Sequence, residues 1–252
     1  MPTRIRHIAI VSDQYALLGR FYEAVFGMKG AEDKRPERAV TVSDGYVGLN
    51  INPRKAGRTA GLDHFGLEVD DADAACAKLA KYGVQFVKRP STRPFAGISA
   101  HDPAGNVFDI SQRDMENRKS VYVEAEREQP RRITRLAIRT LQAEKLKDFY
   151  ADVFGLEDLS DGRVALDLIA WDIRDFEGSG IVRPGPDHIG FRVESLAAFK
   201  EQLAAIGENN PHLRPLPFGG KEGAARAALF AKAAHGTFQF ADPDGTLIDV
   251  AA

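Results

Sequence analysis

A single cysteine, Cys76, stands in 252 residues, so no disulfide can form within the chain. Cys76 shares a helical stripe with Ala72, Ala75 and Leu79, which makes it a buried packing thiol rather than a nucleophile. No run of about 18 apolar residues occurs, so no transmembrane helix is expected. The opening stretch from Met1 to His7 has no apolar signal-peptide core and passes directly into a strand-like pattern. Neither sign of charge dominates: 34 basic against 36 acidic residues leave a net charge of −2. That balance offers no footprint for nucleic acid and no basic patch for a membrane surface. A reducing, cytoplasmic setting is the expectation.

What the chain does hold is ordinary for a globular protein, with 44% apolar and 28% charged residues, and its length suits one large domain or two of about 125. Its organising feature is internal repetition. Gly61-Leu-Asp-His-Phe-Gly-Leu-Glu-Val69 recurs as Gly185-Pro-Asp-His-Ile-Gly-Phe-Arg-Val193. Phe21-Tyr-Glu-Ala-Val-Phe-Gly27 recurs as Phe149-Tyr-Ala-Asp-Val-Phe-Gly155, and Asp102-Pro-Ala-Gly105 as Asp242-Pro-Asp-Gly245.

Residues 4–11 alternate like a strand. A helix capped by Ser12 or Asp13 follows and stops at Gly27. Two strands near 38–43 and 46–52 hinge on Asp44-Gly45. A second strand-helix-strand unit starts at Leu62, with Asp70 as helix cap, Gly83 as stop and strand pieces near 85–88, 97–101 and 106–111. The predicted architecture is α+β, built of tandem βαβββ units. The boundaries read as a first domain over 1–112, a charged linker over 113–131 and a second domain over 132–252. The second half marks its third and fourth strands poorly between Gly162 and Asp175. It carries an insert near 208–236, which reads as a glycine-hinged helix and is either a lid or a surface insertion.

The polar faces of the first-half strands align His7, His64 and Asp109, with Glu68 two places beyond His64. Two histidines and a carboxylate on one sheet face are a possible metal set with open coordination positions, suited to iron(II). The alternative is a merely polar cup. His101 beside the Asp102-Pro turn is a weak candidate proton donor. Tyr22 and Tyr150 share helix faces with phenylalanines and read as core; His212 reads as loop, and Trp171 as packing near the second cup. His235 could reach the second cup only from a lid.

Taken together, the duplicated unit, the Phe-Tyr-x-x-Val-Phe-Gly helix end, the Asp-His-x-Gly strand and the Asp-Pro-x-Gly ending resemble the vicinal oxygen chelate superfamily. That superfamily includes glyoxalase I, bleomycin-resistance proteins and type I extradiol dioxygenases. The resemblance implies a cup-shaped mixed sheet in each half with helices outside, and a metal in the first cup on His7, His64 and Asp109. Asp109 is one methylene shorter than the family's usual glutamate, and Gly48 or Asn50 stands where isomerases carry a fourth ligand. In the second half Arg135 replaces His7, beside His188, Asp249, Arg139 and Arg192. These could form an internal ion pair, Arg135 with Asp249, or bind an anion. Exchange of units between halves, which would bring His7 to His188 and Asp249, is open at this level.

The expected activity is an extradiol-type dioxygenase acting on a small aromatic or vicinal-oxygen substrate, with dioxygen as co-substrate and Fe(II) or Mn(II) as metal. One alternative is a glyoxalase- or epimerase-like enzyme with Zn or Ni. The other is a non-catalytic small-molecule binding protein. A monomer or homodimer is expected.

Overall fold

The computed structural model describes residues 3–30, 39–90, 96–113, 129–170, 184–217 and 223–252. Most of the charged linker, Trp171 and residues 218–222 within the insert lie outside the described residues. The first half builds an eight-stranded sheet in the order β2-β3-β4-β1-β5-β8-β7-β6. Its strands are β1 (Arg4–Ser12), β2 (Lys29–Gly30), β3 (Val40–Ser43), β4 (Gly48–Pro53), β5 (Gly61–Val69), β6 (Phe86–Lys88), β7 (Ile98–His101) and β8 (Val107–Gln112). The second half builds a five-stranded sheet in the order β10-β9-β11-β13-β12. These strands are β9 (Arg132–Thr140), β10 (Ala165–Ala170), β11 (Gly185–Arg192), β12 (Phe238–Ala241) and β13 (Leu247–Ala251). Each sheet takes its strands from one half only, so among the described residues no strand is exchanged.

Among the described residues five α-helices accompany them: α1 (Tyr15–Phe26), α2 (Ala72–Lys81), α3 (Ala143–Phe154), α4 (Leu196–Asn209) and α5 (Gly223–Ala233). The expected caps shift by one or two places. Gln14 is the N-cap of α1, with its backbone N–H on the Ser12 hydroxyl at 2.8 Å. Asp71, not Asp70, caps α2 by accepting from the Ala74 N–H. Asp70 turns instead to Arg113, 2.8 Å away. Both α1 and α3 end on a left-handed glycine, Gly27 and Gly155, a conformation that a Cβ would strain.

Where the first half has β3, the second half forms no full strand among the described residues. Ser160-Asp161-Gly162 repeats the Ser43-Asp44-Gly45 turn bond for bond: Asp44 accepts from the Tyr46 and Val47 N–H groups, and Asp161 from Arg163 and Val164. The strand entering the second copy is only an isolated bridge, Ser160 to Ala165. The repeated Ser-Asp-Gly was the readable signal for this turn.

Alternation sorts the side chains. On the convex face of the first sheet Leu49, Ile8, Phe65 and Phe108 stand in register across four strands, all buried. Leu166, Leu136, Ile189, Ile248 and Phe240 form the matching row in the second. The aromatic helix faces cover these rows across the halves. Phe26 of α1 stacks on Phe191 of β11 at 3.7 Å between centroids, and Tyr22 lies 6.3 Å from the same ring. Reciprocally, Tyr150 of α3 packs on Phe65 and Phe108. One continuous apolar core therefore runs through both halves.

Candidate metal centre

The concave faces hold the polar residues. In the first half, register places Gly48, His7, Gly66, Asp109 and Ser99 in one row across β4, β1, β5, β8 and β7. A bulge at Arg6 turns His7 into this row, and the pairing of β9 with β11 shifts at the corresponding place, between Gly190 and Phe191. His64 stands two places from Gly66 on the same face. Glycines, Gly48 and Gly66, flank His7 in this row.

His7, His64 and Asp109 each offer one ligand atom within 4.8 Å of the others. The imidazole centroids of His7 and His64 are 5.4 Å apart, and His64 Nε2 lies 3.3 Å from Asp109 Oδ2. Further groups hold these atoms in place. Asp63 takes His64 Nδ1 at 2.8 Å, so the proton sits there and Nε2 faces the cup. Arg58 grips both oxygens of Asp63 at 2.7 and 2.8 Å. Ser99 donates to Asp109 Oδ1 and itself accepts from Arg89 Nε at 3.1 Å, leaving Oδ2 for the cup.

The electrostatics agree. Burial first, and then neighbouring His64, push His7 down to about 3, against the pull of Asp109. Burial also disfavours a charged His64, yet the hydrogen bonds its ring donates to Asp109 and Asp63 outweigh it and lift that ring to about 9. Asp109 is buried, which opposes its ionisation, but His64 and Ser99 hold its carboxyl below the usual range. The arrangement is thus one neutral imidazole and one imidazole–carboxylate pair sharing a proton, whose place a divalent cation can take. The donor set fits such an ion: two imidazole nitrogens and one carboxylate oxygen gathered within 4.8 Å of one another.

Other first-half candidates fall elsewhere. His101 is exposed and bonds the Gly105 carbonyl within its turn. Glu68 is buried beside Arg4 and Arg113, at 3.4 and 3.6 Å. Asn50 shares the cup face and contacts Thr41 at 3.4 Å.

The second half repeats the row with different residues: Ala165, Arg135, Gly190, Asp249 and Gln239. Arg135 does not pair with Asp249. Its stem lies over Gly190, where a Cβ would meet Arg135 Cβ at 2.8 Å, and its head approaches Asp167 at 3.8 Å. Asp249 accepts from the His235 and Gly236 N–H groups at 2.8 Å each and from Gln239 at 2.9 Å. His235 also reaches Asp167 at 2.7 Å. His188 keeps the aspartate partner of its counterpart, with Nδ1 2.7 Å from Asp187, and Arg139 holds the other Asp187 oxygen at 2.9 Å. Arg192 is exposed at the end of β11 and takes no part in this group. His212 is exposed in a 3-10 turn. Asp167 was not singled out from the sequence; it occupies the position of Asn50, visible once β10 is aligned with β4. A cleft of about 320 Å³ opens beside it, lined by Arg135, Lys147, Asp167 and His235, on the opposite half from His7.

A family model described as Glyoxalase/Bleomycin resistance protein/Dioxygenase superfamily matches residues 4–110. The amino-terminal half belongs to this vicinal oxygen chelate superfamily. CFP32 of Mycobacterium tuberculosis, whose name gives glyoxylase as a presumed activity, is 32% identical over 107 residues. That match covers 40% of this chain and 41% of the relative. The Mn(II)-bound glyoxalase of Novosphingobium aromaticivorans superposes over 98% of this chain and 81% of its own, with TM-score 0.62 at 15% identity. Homoprotocatechuate 2,3-dioxygenase of Arthrobacter globiformis superposes over 98% and 78%, with TM-score 0.63 at 16% identity. At such identities the likeness speaks for the fold, and both halves have the superfamily's fold. The superfamily, as its description says, takes in glyoxalases, bleomycin-resistance proteins and dioxygenases.

Proposed function

We propose that the protein is a metal-dependent enzyme of the extradiol dioxygenase kind, holding iron(II), or manganese(II), on His7, His64 and Asp109. The observation that carries this reading is the three-ligand set itself: Gly48, in register with His7, brings no fourth donor to the row. A bound iron(II) would supply Lewis acidity and one-electron chemistry to a substrate offering two adjacent oxygens.

The chain's own residues do the rest. Asp63, clamped by Arg58, keeps the His64 proton on Nδ1. Ser99 fixes the Asp109 carboxyl so that one oxygen faces the cup. Gly66 and Gly48, on either side of His7, add no side chain that would crowd a flat ligand. Asn50 and Thr41 offer polar contacts to a substrate on the same face.

Metal analysis of protein purified without added metal tests this. About one iron or manganese per chain, lost in His64→Ala, with oxygen uptake on simple catechols, is the expected result. Metal-dependent isomerisation of a 2-oxoaldehyde–thiol adduct without oxygen uptake would move the assignment to the glyoxalase kind. Failure to retain any divalent metal would leave a binding protein.

A further inference from the structure

The second cup is filled by the chain itself. Phe230 of α5 is fully buried, and its ring lies 4.5 Å from that of His188. His188 is itself fully buried, and its Nε2 meets no hydrogen-bond partner among the described residues. Because Nδ1 donates to Asp187, Nε2 is an acceptor with an unused lone pair. A buried acceptor left unused destabilises the fold, and Asp187 and Arg139 hold the ring in that state.

A cation does not suit this position. Arg135 fills the space over Gly190, and both Asp249 oxygens already accept hydrogen bonds. What the position suits is a donor, O–H or N–H, on a body the size of the phenylalanine ring. The walls are apolar: Phe230 clusters with Ala241 and Leu247, flanked by Leu216 and Ala234, apart from the main core. The filler comes from the inserted helix, which has no counterpart in the first half among the described residues. That helix is held at its end by His235 on Asp167, beside the open cleft, and by the backbone on Asp249.

We infer that the second cup is a ligand site for a neutral single-ring aromatic carrying one hydrogen-bond donor, with His188 Nε2 as acceptor and Phe230 as the internal group the ligand displaces. The site takes no metal and is separate from the His7 centre.

Phenol and toluene are the probes, the second lacking the donor. In the wild-type protein phenol shifts the His188 ring resonances. In Phe230→Ala phenol binds at least tenfold tighter than in wild type and about tenfold tighter than toluene. His188→Leu in that background removes the preference for phenol, while His7→Ala leaves it. Equal binding of the two probes, survival of the preference without His188, or no shift in wild type up to the solubility limit overturns the inference. Should Phe230→Ala fail to fold, Phe230→Leu carries the same comparison.

Discussion

At the scale of single residues, the first cup depends on groups that never touch a ligand. Asp63 decides which nitrogen of His64 carries the proton; against the cost of burial, His64 and then Arg58 hold its carboxyl below the usual range, and Arg58 keeps it in place. In Asp63→Asn the acceptor is weaker and the Arg58 clamp is lost. Mn(II) affinity, read by calorimetric titration, is expected to fall about tenfold or more while the fold survives.

A second residue-scale expectation concerns Asp242. Burial pushes its carboxyl up to about 6, although the Thr246 and Asp244 N–H groups and the Tyr22 hydroxyl donate to it. The folded chain therefore keeps this proton at pH values where the unfolded chain, with a carboxyl near 4, has released it. Stability falls as pH rises between these values, by up to about 3 kcal/mol at about 1.4 kcal/mol per pH unit. Urea unfolding of the wild type between pH 4 and 6.5 should show this fall, and Asp242→Asn, which cannot ionise, should lack it.

At the scale of elements, α5 and its exit turn distinguish the second half from the first. The turn closes backbone to backbone: a Cβ on Gly236 would lie 2.1 Å from the Val250 carbonyl oxygen. No side-chain rotation relieves a clash with a carbonyl. Gly236→Ala is expected to cost about 1–3 kcal/mol in urea unfolding. It should also free the His235 and Gly236 N–H groups from Asp249, which faster amide exchange at those two positions would report.

At the scale of the whole molecule, the two halves keep their own sheets but share one core. The exchange lies in the helices. Tyr22 of α1 donates to Asp242 at 3.0 Å, and Tyr150 of α3 donates to Asp102 at 2.8 Å, each reaching the Asp-Pro turn of the other half. The backbones are tied the same way: Ile133 N–H donates to Asp44 and Ile5 N–H to Asp161. Tyr22→Phe and Tyr150→Phe should each cost about 1–3 kcal/mol by leaving a buried carboxyl short of a donor. The two sites share no partner, so the double variant should be additive within about 0.5 kcal/mol. A coupling larger than that in urea unfolding would contradict two independent latches.

The sequence by itself determined the repeat, the strand faces and the candidate ligands, because alternation along a strand assigns side chains to faces without knowledge of the partner strand. His7, His64 and Asp109 were legible for that reason, and so was the loss of the first position to Arg135. Only the tertiary structure decided what stands beside each residue. Tyr22 and Tyr150 read as core and are core, but their hydroxyl partners lie 220 and 48 residues away and no local pattern names them. Arg135 faces Asp167 rather than Asp249 because the turn after α5 reaches Asp249 with its own N–H groups. Phe230 lies over His188 because an insert returned to the cup, and sequence spacing says nothing about where an insert folds back.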